Sequence, residues 1–137
     1  MSFASIKIPV VSKLESISGL SHVYPYASSK IEGFPAVIVY MADNENEYGD
    51  TCHNFRTYGV MVKLFIEQNE WSEESAENLA ISLVDTIISE FDEDFILGGA
   101  CELVRAVETK WGWSELSNGK QRTVEIKLEI RKLENIN

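Results

Sequence analysis

The chain is poor in the residue types that most often carry chemistry. Its 137 residues include two cysteines, two histidines and three prolines. Cys52 and Cys101 have no framework spacing, which excludes a small disulfide-stapled scaffold. The first residues, Met1-Ser2-Phe3-Ala4-Ser5-Ile6, lack the basic and apolar regions of an export signal, so cytoplasmic synthesis with reduced thiols is expected. Cys101 lies in an apolar run and is expected as a buried free thiol. His22 and His53 fall in no metal-ligand spacing. Cys52 and His53 are neighbours, which on extended chain point to opposite faces, so a nucleophile pair there is not expected. There is no glycine-rich phosphate loop and no nucleophile elbow. No apolar run approaches the ~18 residues of a membrane span, so no membrane partner is expected.

Bases are scarce as well: 12 against 22 acids, a net charge of −10. The excess is concentrated between Asp43 and Asp94, where fourteen acids face only Arg56 and Lys63. Sequence-specific reading of a nucleic acid needs clustered Lys and Arg, and this middle region excludes it. DNA passing such a surface would be repelled rather than held. No catalytic residue, cofactor or metal ligand is expected.

What is present is a strongly patterned chain of one-domain size, taken as a single α+β unit over residues 1–137. Phe3, Ile6, Val10, Leu14 and Ile17 recur at steps of three and four and predict a helix from about Phe3 to Ser18. Pro9 requires that this helix start near Ile8 or kink. Gly19 before Leu20 reads as a left-handed C-cap. A short extended piece follows at His22–Tyr26. The run Phe34–Met41 reads as a strand, with Pro35 at its start where the missing N–H is harmless.

Residues Ala42 to Asn54 read as a polar loop of about 13 residues, a candidate contact loop. Its acids resemble a calcium loop only superficially: counted from Asp43, Tyr48 stands where the turn needs glycine and Asn54 where a bidentate glutamate belongs. Arg56 to Gln68 alternates, with Tyr58, Val60, Val62, Leu64 and Ile66 on one face. Ser72 to Phe91 is the clearest helix: Ser72 as N-cap, then Glu73, Glu74 and Glu77 at the positive end of the dipole. Ala76, Leu79, Ala80, Leu83, Val84, Ile87, Ile88 and Phe91 form its core face.

Two more strands close the pattern, Cys101–Trp113 and Thr123–Leu133, joined by a hairpin signalled by Asn118-Gly119. Val124, Ile126, Leu128 and Ile130 are the inward face of the last. Trp111 and Trp113 share one face across Gly112, as core or as an interface anchor. Together these elements predict an antiparallel or mixed sheet of four to five strands with two amphipathic helices on one face.

Four features in this order resemble the tail terminator, or tail completion, family of long-tailed bacteriophages typified by the minor tail protein U of phage lambda. They are the first helix ending in Ile17-Ser18-Gly19-Leu20 with His22-Val23-Tyr24-Pro25-Tyr26 behind it; the strand Gly33-Phe34-Pro35-Ala36-Val37-Ile38-Val39; the polar stretch leading to Asn54-Phe55-Arg56-Thr57-Tyr58 and a long strand; and the acid-capped helix before a terminal hairpin. The resemblance implies a virion protein and no enzyme. Its partners would be copies of itself in a ring, commonly a hexamer, the major tail tube protein, and the head completion or connector protein. Such a ring caps the tube, stops its growth and offers the head a joining surface. Tyr48, His53, Phe55 and Arg56 are then the candidate contact residues, with Trp111 and Trp113 next. Two other readings stay open: a neck, connector or tail adaptor protein of the same fold, and a small acidic binding module.

Overall fold

The computed structural model describes residues 3–28, 30–48, 53–67, 73–116 and 119–135; of 44–48, 53–55, 73, 116, 119, 134 and 135 it describes the backbone alone. Seven elements follow one another: α1 (Phe3–Glu15), β1 (His22–Tyr24), β2 (Ala36–Tyr48), β3 (His53–Glu67), α2 (Glu73–Glu93), β4 (Leu103–Leu116) and β5 (Gly119–Asn135), with a short 3₁₀ turn at Leu97–Gly99 before β4. The five strands form one sheet in the order β1-β2-β3-β5-β4. β1 runs parallel to β2 and every other pairing is antiparallel. This is the α+β architecture expected from the pattern.

The strand alternation sets the layers. Tyr58, Val60, Val62 and Leu64 of β3 lie in register with Ile130, Leu128, Ile126 and Val124 of β5, and all of them, with Ile66, are buried. Both helices cover this face. From α1 come Ile6, Val10 and Leu14, followed by Ile17, and from α2 come Ala76, Ala80, Leu83, Val84, Ile87 and Phe91, all in one continuous core. The opposite, open face carries a second, smaller core of Ile31, Ala36, Ile38 and Phe65, with Tyr24, Phe34 and Tyr40 against it. It occupies the corner where the segment between β1 and β2 folds over the sheet.

Several expectations need correction. α1 starts at Phe3 and contains Pro9, rather than beginning near Ile8. The lost N–H costs the helix one bond, which the burial of Ile6, Val10 and Leu14 outweighs. The helix stops at Glu15, and Gly19 is not left-handed. Its hydrogen side chain is needed for space: a Cβ there would stand 2.8 Å from Leu83 Cδ2 on α2. The left-handed residues lie instead at Leu97, Gly98 and Gly99.

The largest change concerns residues 42–54. Residues 42–48 and 53–54 are strand rather than loop: β2 continues to Tyr48 and β3 begins at His53, so Asp43 pairs opposite Gly59 and Tyr48 opposite Asn54. A polar stretch stays in register because the ladder satisfies its backbone whatever its side chains are. Extended chain does not wrap an ion, so the calcium-loop likeness ends there. Residues 49–52, including Cys52, and Ser72, the expected N-cap, lie outside the described residues. The terminal hairpin pairs Leu116 with Gly119, which makes Gly119 the first residue of β5 rather than part of the turn; Asn118 lies outside the described residues.

Candidate interaction surface

Two bulges decide what each edge of the sheet presents. Ala42 is an extra residue in β2 and Val107 an extra residue in β4, and each reverses the alternation beyond it. In β4 the reversal moves the odd-numbered residues to the helix face. Trp111 therefore stands opposite Val124, and Trp113 opposite Arg122. The pair shares a face, as expected, but it is not core. β4 is an edge strand, and the indoles stay 41% and 46% exposed.

Arg122 completes this site, and sequence reasoning missed it. Its side chain is only 12% exposed. Nε donates to Glu77 Oε2 at 2.7 Å, Nη2 to Glu77 Oε1 at 3.3 Å, and Nη1 to the Gly112 carbonyl at 2.9 Å. The guanidinium lies 5.3 Å from the Trp111 ring and 4.7 Å from the Trp113 ring, while Lys120 Nζ sits 4.6 Å from the Trp113 ring. A forked, planar cation held by a carboxylate and stacked on two indoles is a rigid assembly. The signal was available: Arg122 is even-numbered, like the inward residues Val124 to Ile130, and a cation at an inward position needs a partner.

Other exposed apolar residues lie along the same edge strand, on both of its faces. Phe95, Ile96, Leu103 and Val107 are also exposed and lie on β4 or on the turn that feeds it. At the head of β4 the Val104 N–H donates to the Phe95 carbonyl at 2.6 Å. Beyond that point, among the described residues, β4 has no strand partner on its outer side. A long apolar edge of this kind is what soluble proteins ordinarily blunt or cover.

The other candidate contact residues lie far across the sheet. Tyr48 ends β2, and His53 opens β3 opposite Asn135. Phe55 stands between Glu47 and Leu133, and Arg56 between Asn46 and Lys132. The side chains of Tyr48, His53 and Phe55 lie outside the described residues, and Arg56 is half-buried with interactions of its own. Phe55 and Arg56 are consecutive strand residues, so they belong to opposite faces. The structure thus separates the two groups, one on the β2–β3 arm and one on β4.

Charge is segregated as well. α2 carries seven acids and no base, so much of the acidic excess sits on the helix layer. The open face is instead crossed by ion pairs: Lys127–Asp43 at 3.0 Å, Lys63–Glu125 at 3.5 Å, Arg105–Glu129 at 3.3 Å and Lys110–Glu108 at 3.1 Å. The hydrogen bond and charge of Asp43 hold the Lys127 ammonium above the usual lysine range. Asp43 reaches over Gly59, where a Cβ would collide with its carboxylate. A shallow depression between Asp43, Met61, Glu108, Lys110 and Lys127 is filled with these paired charges.

Groups suited to bond chemistry do not converge among the described residues. Burial, then the charge of Glu102, pushes the Cys101 thiol up, which keeps it protonated. No three His, Cys, Asp or Glu side chains come together there as a metal cage. No described helix is long and apolar enough to cross a membrane. Neither a protein family nor a curated protein sequence matches the chain.

Proposed function

We propose that the chain is a self-assembling virion protein that forms a ring, six-fold in the manner of phage tail terminators, and caps a tail tube. The observation that carries the self-assembly is the β4 edge, where unpaired backbone, four exposed apolar residues of the strand and a pre-stacked Trp111–Arg122–Trp113 cluster lie along one side of the molecule. Aromatic residues and arginine held rigid before contact are the usual anchors of protein interfaces. The position in the virion is supported by the resemblance of the chain's segments to the tail terminator family. In this reading the function is geometric: heterologous contacts close by rotation, and the closed ring ends tube growth and presents a surface to the head. The acidic α2 layer repels nucleic acid, which suits a ring that DNA must pass without adhering.

The test is electron microscopy of a lysate from the virus carrying this gene, with the gene inactivated. Overlong, headless tails are the expected result. Normal-length tails beside filled, unattached heads would move the protein to the neck. Intact virions would refute the structural reading.

A further inference from the structure

The sheet has a second open edge. On the outer side of β2, β1 pairs with Ala36, Val37 and Ile38 alone among the described residues. The rest of β2, from Val39 to Tyr48, is paired among the described residues on its β3 side alone. One chain therefore offers two unpaired edges: residues 105–116 of β4, about 40 Å long, and residues 39–48 of β2, about 34 Å. The strand directions match. β2, β3, β5 and β4 alternate, so β4 runs opposite to β2, and two copies set side by side in one orientation bring these edges together antiparallel.

Charge selects the same partners. From Ala36 to Tyr48, β2 contains Asp43, Glu45 and Glu47 and no base. Register places Asp43 on the open face, opposite Gly59. β4 brings Arg105, Glu108 and Lys110 to the same face, opposite Glu129, Lys127 and Glu125, so this strand carries cations where β2 carries none. Two β2 arms joined to each other would set acid against acid, a destabilising arrangement across a ladder. Joining β4 to β4 would leave the β2 arm open in both copies. Only the unlike pairing closes both edges and sets the base-free β2 arm against a strand that carries cations.

We infer that copies of this chain join head to tail by strand addition, with β4 of one copy laid antiparallel on the outer arm of β2 of the next. The occupant of the β4 edge is a second copy of the same chain, held by about ten ladder bonds and anchored by Leu103, Val107 and the tryptophan pair. The inference rests on the self-assembly half of the proposed function and is independent of its place in a virion.

The test uses the full-length chain in a background with both native cysteines replaced, Cys52→Ser and Cys101→Ala. One preparation carries Lys110→Cys and the other Asp43→Cys; the two positions lie on the same open face, opposite Glu125 and Gly59, and near the middle of the two edges. Each is treated alone, and the two are mixed, with a short bis-maleimide. Head-to-tail joining yields cross-linked dimers in the mixture at least tenfold above either preparation alone. Dimers from Lys110→Cys alone would establish a two-fold β4–β4 contact and overturn the proposal, as would absence of cross-linking in all three samples with circular dichroism unchanged. As a second arm, Val107→Lys, at an exposed position of the edge, should lower the assembled fraction in light scattering at least tenfold at an unchanged melting temperature. Unaltered assembly of that variant would also overturn the proposal. Failure of the edge pairing leaves the tail-length experiment to decide the virion role separately.

Discussion

Replacing Arg122 with alanine tests whether the tryptophan cluster is held by the guanidinium or by packing alone. The side chain makes a forked bond to Glu77 and one bond to the Gly112 carbonyl, and it overlies both indoles. A fully buried charged bond contributes ~1.5–3 kcal/mol, but Glu77 is 39% exposed, so about 1 kcal/mol is appropriate for the pair. The carbonyl bond adds about 1 kcal/mol, and each cation–π contact at a partly exposed ring adds roughly 0.5–1 kcal/mol. Releasing the side chain returns on the order of 1–2 kcal/mol of rotamer entropy. The net expectation is a loss of about 2 kcal/mol, or a fall in Tm of about 8 °C for a domain of this size. Urea unfolding followed by far-UV circular dichroism and by tryptophan emission gives both the free energy and the environment of the indoles. Arg122→Lys should recover little of the loss, because an ammonium has neither the fork nor the plane. A loss below about 0.5 kcal/mol with unchanged indole emission would refute the argument, since the tryptophans would then be placed by the strand alone.

Other expectations follow from single contacts. Phe91 is fully buried between α2 and the sheet, so Phe91→Ala should cost about 3–5 kcal/mol in the same unfolding assay. Gly59→Ala should destabilise the wild-type chain but stabilise an Asp43→Ala background, because the added methyl meets the Asp43 carboxylate and otherwise favours the strand; equal effects in both backgrounds would contradict this. The Gly98 N–H, at 3.0 Å, and then Lys13 hold the Asp94 carboxyl below its ordinary range. A lowered folded-state value means stability present above the unfolded value near pH 4 and lost as pH falls through the folded value. The melting temperature of Asp94→Ala should therefore converge on that of wild type at acid pH, and a constant gap between them would exclude the contact.

The helices and the inward strand faces were readable because burial imposes a period. The 3-4 spacing of α2 from Ala76 to Phe91 and the alternation of β3 and β5 each admit one arrangement against a single core. The β2–β3 arm was not readable by the same logic. Residues 44–48 and 53–54 carry no apolar alternation, because what keeps them extended is the ladder to a partner strand, and backbone bonds leave no mark on side-chain composition. The bulges at Ala42 and Val107 were hidden for the same reason, and the second of them decides which face receives Trp111 and Trp113. Of the six candidate contact residues, the tryptophans are exposed at an edge, while the other four lie on the opposite arm. Arg122, which ties the tryptophans to α2, belonged to an inward register that had been read only from Val124 onward.

The strand order also constrains how the chain is made. β5, last in sequence, lies between β3 and β4, and its nearest pairing with β3 joins Glu67 to Gln121, 54 positions further along. At roughly 5–20 residues per second, a ribosome exposes β3 for seconds before its partner is synthesised. In that interval the side of β3 that β5 will occupy has no partner strand. The hazard for this protein is thus greatest during translation, and a chain cut short before β5 loses the middle of its sheet while keeping both helices and a hairpin that is prone to pair with its neighbours.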